Sequence, residues 1–330
     1  MKIKAAVIGM GIGEKHLEAI DKYKGSSVNI VCEKDNKKYL YLKKKYPKKI
    51  ITKDENIIFK DKKINLVSIA SYDHYHYSQI IKAIKYGKNI IVEKPMCLKI
   101  EQLKKITKLV KKKNIKIFSN LVLRVNSLFK DFKKRVKRKK IYYIEADYIW
   151  GREKKLYGWR SNIKDYSITL GAGIHMIDLT MWLLNSKPTY VTAFANNNAT
   201  KGTKFKKNSF AIYIFEFPMN ILVKITANTP STYNHFHEVK IYQKGATITN
   251  FFNGSFLFKK YKNKTISQKI NKSYPDKSKR KKLIHNFIDN LKNKNKKSLI
   301  TLQEQINLMS LCFAADKSIK IKKRIKIKYH

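Results

Sequence analysis

The chain has 330 residues, enough for two domains that each bury a core. A hydrophobic share of 43% with 12% aromatics excludes a disordered chain, and no apolar run reaches the roughly 18 residues that span a bilayer. The formal net charge is +50, yet only 7 of the 73 basic residues are arginine, the side chain suited to forked phosphate contacts. The lysines run through nearly every segment, densest at Lys133 to Lys140 and Lys277 to Lys282. This is a chain-wide bias that attracts acidic small ligands; no nucleic-acid partner is expected. Cys32, Cys97 and Cys312 lie far apart and match no metal spacing, so they are read as buried thiols and no metal site is expected. Met1 to Lys4 lead straight into a strand-like run without a signal peptide's apolar stretch, which predicts a cytoplasmic protein with no membrane partner.

The first third alternates strand-like and helical runs. Ile3 to Ile8 is apolar and ends in glycines. Glu14 to Lys24 carries Leu17, Ile20 and Tyr23 at helical spacing and stops at Gly25. Val28 to Cys32 and Leu66 to Ala70 read as strands, Ser78 to Tyr86 as a helix capped by Gly87, and Ile90 to Val92 as a strand. Glu101 to Lys113 is helical, and Ile115 to Ser119 closes the series. Such alternation predicts a parallel sheet covered on both faces, over residues 1–121. Residues 122–330 read differently. Tyr142 to Trp150, Tyr190 to Ala195, Ser209 to Phe217, Ile221 to Ala227 and Glu238 to Tyr242 are β-like, and several alternate as in an open antiparallel sheet. Pro218-Met219-Asn220 reads as a hairpin turn. Ile174 to Leu184, Leu283 to Leu291 and Leu302 to Asp316 read as helices. The polar stretch Lys259 to Lys282 reads as a surface loop or poorly ordered segment. The expected fold class is α/β: a domain on a parallel sheet, then a domain on a mainly antiparallel one.

Gly9-Met10-Gly11-Ile12-Gly13 sits where the first strand turns into the first helix. Glycines there let the backbone approach a pyrophosphate on the helix N-terminus. The spacing is one residue short of G-x-G-x-x-G, and a tight turn in any α/β protein could use the same glycines. Glu33 ends the second strand, 20 residues after Gly13, where an acid can accept hydrogen bonds from a ribose. A carboxylate there repels a 2′-phosphate and favours NAD, while Lys34 and Lys37 leave NADP open. Ser71, Tyr72 and His76 follow a strand at the ligand end of the sheet, or are polar loop residues only. Glu93-Lys94-Pro95 follows the next strand. An ammonium at that point can hydrogen-bond a substrate hydroxyl and stabilise charge on its oxygen as hydride leaves the carbon. Pro95 fixes the turn and is a candidate cis proline. His175 and Asp178 share one face near the start of the Ile174 helix, where a histidine can act as base.

Taken in order, these motifs resemble the Gfo/Idh/MocA family of oxidoreductases. The matching residues are the glycine turn followed by His16, the strand ending in Glu33, Ala70-Ser71 with His76, and the run Ala83 to Pro95. Arg124, Gly173 to Asp178 and Ala314 to Ser318 match further on. The resemblance implies a Rossmann domain, Lys94 as catalytic lysine and His175 as substrate-side acid/base. It implies that Arg124 and Asp178 contact substrate and that Trp159 and Arg160 approach the cofactor. Many members carry an Asp four residues before that histidine; here Gly171 stands there, which puts a Lys-Asp-His relay in doubt. The implied activity is NAD(P)-dependent hydride transfer at a hydroxyl or carbonyl carbon of a sugar, cyclic polyol or nucleotide-linked sugar. A non-sugar carbonyl or dihydrodiol substrate, or a non-catalytic NAD-binding regulator, are the alternatives. An open sheet face needs cover, so a homodimer or homotetramer is expected.

Overall fold

The computed structural model describes residues 2–262, 264–293 and 295–330, so Met1 and Asn263, which fall in segments read above, lie outside the described residues. The chain divides into two compact units: Met1–Val122 with Ser278–Ile306, and Leu123–Lys277 with Asn307–His330.

In the first unit, strands β1 (Ile3–Ile8), β2 (Ser26–Cys32), β3 (Ile50–Thr52), β4 (Leu66–Ile69), β5 (Asn89–Val92) and β6 (Ile117–Ser119) alternate with helices α1 (Gly13–Asp21), α2 (Asn36–Lys45), α3 (Glu55–Lys60), α4 (Asp73–Lys85) and α5 (Ile100–Lys113). All strand pairs are parallel, in the order β3-β2-β1-β4-β5-β6. That order reverses between β1 and β4, the place where open parallel sheets bind dinucleotides. Every residue of β4 is buried, Ser68 included, as expected of a central strand covered on both faces. The sequence reading passed over α2, β3 and α3. Among the residues of α2 only Leu42 is buried, and the helix rests on an Asp35 cap that accepts from the Lys38 N–H at 2.9 Å.

The second unit carries α6 (Ser127–Arg135), β7 (Ile141–Ile149), α7 (Ile174–Leu184), β8 (Tyr190–Asn196), β9 (Phe210–Phe217), β10 (Ile221–Asn228), β11 (Phe236–Gln243), β12 (Ala246–Phe251), β13 (Gly254–Tyr261) and β14 (Lys264–Lys269). Its sheet order is β14-β13-β12-β11-β7-β10-β9-β8-β15, closing on the two-residue β15 (Ile325–Lys326). β7 and β10 pair parallel at the centre and the other pairs are antiparallel. Tyr213, Phe215, Val223 and Ile225 form part of the buried core, while Glu145, Asp147, Lys224 and Lys240 on the opposite face make a ladder of ion pairs at 3.3–3.4 Å. Pro218 to Asn220 is the expected hairpin turn, with Met219 at φ 66° and Asn220 at φ 55°.

Two sequence expectations need correction. Residues 259–261 and 264–269 are not loop: the first continue β13 and the second form β14. Backbone pairing holds this edge hairpin although every residue of β14 is exposed, so no apolar pattern marks it. And residues 278–306, read with the second domain, belong to the first unit. Helix α8 (Lys281–Lys292) buries Leu283, Ile284, Phe287 and Ile288. Phe287 stacks on Phe118 of β6 at 5.4 Å, His285 Nε2 lies 2.9 Å from the Ala19 carbonyl, and Asp289 accepts from the Tyr23 hydroxyl. Helix α9 (Leu302–Ile321) starts in the first unit, where Gln305 Oε1 accepts from the Ser119 N–H at 2.6 Å, and continues in the second.

Candidate active site

The glycine turn uses its three glycines for different reasons. Gly9 has φ +83°, and a Cβ there would lie 2.7 Å from the Ala70 carbonyl oxygen. A Cβ on Gly13 would lie 2.9 Å from Val7 Cγ1, so helix and strand need glycine to pack. A Cβ on Gly11 would meet nothing within 4 Å. The turn is therefore closed against protein on two sides and open at Gly11, the shape a pyrophosphate cradle requires. Ile12, the last side chain of the loop, is 43% exposed.

Glu33 is tied to this turn: one oxygen accepts from the Met10 N–H at 2.9 Å, the other from the Asp35 N–H at 3.0 Å. The carboxylate retains lone pairs for a ribose hydroxyl. Across the switch point, the Ser71 hydroxyl donates to Gln79 Oε1 at 2.7 Å. His76 is fully buried, with Nδ1 2.7 Å from the Pro95 carbonyl and Nε2 3.1 Å from the Ser71 carbonyl. It clips the loop after β4 to the turn after β5. Tyr72 is 47% exposed at the same edge.

Glu93 turns inward, where Oε1 lies 2.9 Å from His16 Nε2 and accepts from Asn120 Nδ2 at 2.8 Å; His16 Nδ1 reaches Ser68 Oγ at 2.8 Å. Burial pushes the Glu93 carboxyl up, but His16, Asn120 and Lys94 more than offset that and hold it below its ordinary value. This places a carboxylate behind Lys94 that is already committed to neighbours. The Lys94–Pro95 bond is cis.

In the second unit, Arg124 and Asp178 are brought together. The Arg124 Nε donates to both Asp178 oxygens at 3.1 and 3.0 Å and Nη2 to Oδ1 at 2.6 Å, with both side chains buried. His175 is half-buried and stacks on Tyr148 at 5.4 Å with the rings 18° apart. Tyr148 also meets His235 at 5.3 Å and His237 at 5.2 Å. The Tyr274 hydroxyl accepts from the His237 N–H at 2.8 Å and lies 2.6 Å from His237 Nδ1. The sequence reading missed Tyr148, His235, His237 and Tyr274. The signal available was the pair His235 and His237, two apart in sequence, with His237 opposite Tyr148 in the β7–β11 register and His235 just before β11. Trp159 and Arg160 lie together on a single 3₁₀ turn, with the guanidinium 4.1 Å from the Trp159 ring and 5.1 Å from Trp150.

Gly171 lies in a π-helical turn, Thr169–Gly173, that runs into α7. A side chain there would collide with the Tyr166 hydroxyl. A phenol thus fills the space that the resemblance assigns to a carboxylate.

Residues 3–121 match the model of an oxidoreductase family with an NAD-binding Rossmann fold, and residues 139–249 match the Gfo/Idh/MocA C-terminal domain. The chain belongs to the Gfo/Idh/MocA family of oxidoreductases. Its fold is that of myo-inositol 2-dehydrogenase from Lactobacillus plantarum, with TM-score 0.83 and 17% identity over 99% of this chain and 100% of that one. Scyllo-inositol dehydrogenase from Lactobacillus casei, solved with NAD(H) and scyllo-inositol, gives TM-score 0.81 and 16% identity over 99% of each chain. An uncharacterized oxidoreductase of Streptococcus pneumoniae is 21% identical over 217 residues, 64% of this chain and 58% of that protein. The match therefore spans little more than half of that relative. The first domain of this family member is an NAD-binding Rossmann fold. Among the described residues no helix is long and apolar enough to cross a membrane.

Proposed function

We propose that the protein is an NAD-dependent dehydrogenase acting on a carbinol or carbonyl carbon of a sugar, cyclic polyol or nucleotide-linked sugar. The observation that carries this reading is the turn open only at Gly11 and tied to Glu33. We assign the dinucleotide to Gly9 through Gly13, Glu33, Ser71, Tyr72 and His76, with Trp159 and Arg160 beside it, and prefer NAD to NADP because Glu33 repels a 2′-phosphate. When bound, NAD supplies the hydride acceptor or donor. Lys94 donates a hydrogen bond to the reacting oxygen and stabilises its charge. His175 takes or returns the hydroxyl proton, its ring plane set by Tyr148. Arg124 and Asp178 support the substrate side as a pair. The inositol dehydrogenase likeness motivates the polyol class.

The test is NADH absorbance against a panel of polyols, sugars, sugar nucleotides and non-sugar carbonyls. Lys94→Ala is expected to lower turnover roughly a thousand-fold or more while NAD still binds, a loss of the size that follows removal of an oxyanion-stabilising donor. Near-normal turnover in that variant sinks the mechanism. A second reading, an NAD-binding protein without turnover, draws on Gly171, where Tyr166 closes off any side chain; it predicts NAD binding and no absorbance change with any panel member.

We also propose a cytoplasmic homodimer or homotetramer. The buried cysteines Cys32, Cys97 and Cys312 suit a reducing compartment. Phe194 and Leu222, 59% and 45% exposed beside Ile212, Ile214 and Tyr143, give the outer sheet face an apolar surface suited to a second copy. Phe194→Lys with Leu222→Lys should yield monomers in sedimentation.

A further inference from the structure

Beneath the turn that carries Gly171 lies a chain of hydroxyls ending on a carboxylate. Asp316 of α9 accepts at Oδ1 from the Ser167 hydroxyl at 2.8 Å and from the Thr169 hydroxyl at 2.5 Å. The Tyr213 hydroxyl is 3.0 Å from Thr169 Oγ1. Because Thr169 gives its proton to Asp316, Tyr213 is the donor in that contact. Ser167 Oγ also accepts from the Leu170 N–H at 3.2 Å, and its carbonyl accepts from the Gly171 N–H at 2.9 Å. A Cβ on Gly173 would lie 3.2 Å from the Tyr213 hydroxyl. The π-helical turn Thr169–Gly173 is thus anchored by side chains at its start, and Tyr213 packs close to its end. Turns of this kind are weak in their own bonding and recur at functional sites, so outside anchors decide their shape. His175 follows two residues later.

We propose that Asp316 is a positioning residue: its carboxylate, through Ser167 and Thr169, fixes the turn that aims His175, and its protonation loosens that turn. The role rests on the dehydrogenase reading above, in which His175 moves the substrate proton. Burial pushes the Asp316 carboxyl up to about 6, against the opposing effect of the Thr169 and Ser167 hydroxyls. The titratable groups around it are the Tyr213 phenol on β9, which burial keeps protonated, with the Cys312 thiol and the Tyr166 phenol near that phenol.

Two measurements on the NAD-loaded protein test this. The first follows the backbone amide signals of Gly171 and Gly173 by NMR across pH. In the wild type they should shift with a midpoint of about 6, the value burial gives Asp316, and in Asp316→Asn that transition should vanish. Thr169→Val, which removes the bridging hydroxyl, should reduce it severalfold if the asparagine variant does not fold. The second is the pH profile of kcat/KM on the active polyol. Loosening of the turn on protonation of Asp316 should give the wild type an acid limb with a midpoint of about 6. Asp316→Asn should lose that limb, and Asp316→Glu should restore it. Amides that stay still through this range in the wild type, or an unchanged acid limb in Asp316→Asn, would overturn the proposal. If no panel member is turned over, the dehydrogenase reading fails, and the amide titration still decides whether Asp316 controls the turn.

Discussion

Gly11 differs from its two neighbours in what a methyl group would meet. Gly11→Ala should leave unfolding unchanged and weaken NAD about tenfold or more, since the methyl enters the cradle. Gly9→Ala should instead cost stability, about 1–3 kcal/mol, because its φ of +83° and the Ala70 carbonyl both reject a side chain; calorimetry against NAD titration separates the two. Arg124→Ala leaves the buried Asp178 carboxylate without its bidentate partner and should cost about 3–5 kcal/mol in denaturant unfolding. Asp316 acts on stability with the opposite sign to a paired acid. Its folded value is raised from 3.8 to about 6, so its contribution is whole below about pH 4 and is lost as pH rises through 6. Asp316→Asn should therefore stabilise the protein at pH 8, by at most about 3 kcal/mol, while blunting the action of His175. An acid at the end of a strand can be seen in the sequence, but its partners cannot. Glu33 and Glu93 both follow strands. One meets the Met10 N–H and the other His16, 77 residues away, and only the folded chain separates them.

Among the elements, those with a strong period were legible and those held by pairing or capping were not. α7 was readable to the residue because nearly all of it is buried. α2 and β14 were not, because lysine-rich segments on a solvated surface carry no apolar signal. The π-helical turn was equally invisible: its cause is Asp316, Tyr213 and Tyr166, residues drawn from α9, β9 and the preceding loop. Helix α8 shows what such blindness misses. Its period is clear, but its address is not. Phe287→Ala should cost about 3–5 kcal/mol, and its effect should appear as lost amide protection in β6 of the first unit.

For the molecule as a whole, the charge of +50 is large enough to hold DNA loosely by lysine alone. Retention of DNA should fall away by about 0.2 M salt, as counterion release dictates for contacts without base readout; tight binding above that would overturn the small-molecule assignment. Each unit is gathered from two runs of chain. The second adds residues 307–330 to Leu123–Lys277, and the first takes its last helix from beyond residue 277. During synthesis at about 5–20 residues per second, some 160 residues, the span from Val122 to Lys281, must emerge before α8 does, a wait of roughly 8–30 seconds. Over that interval Phe118 and α1 lack their cover, so the newborn dinucleotide-binding sheet is the stretch most in need of a chaperone, and the order of synthesis runs against the order of the fold.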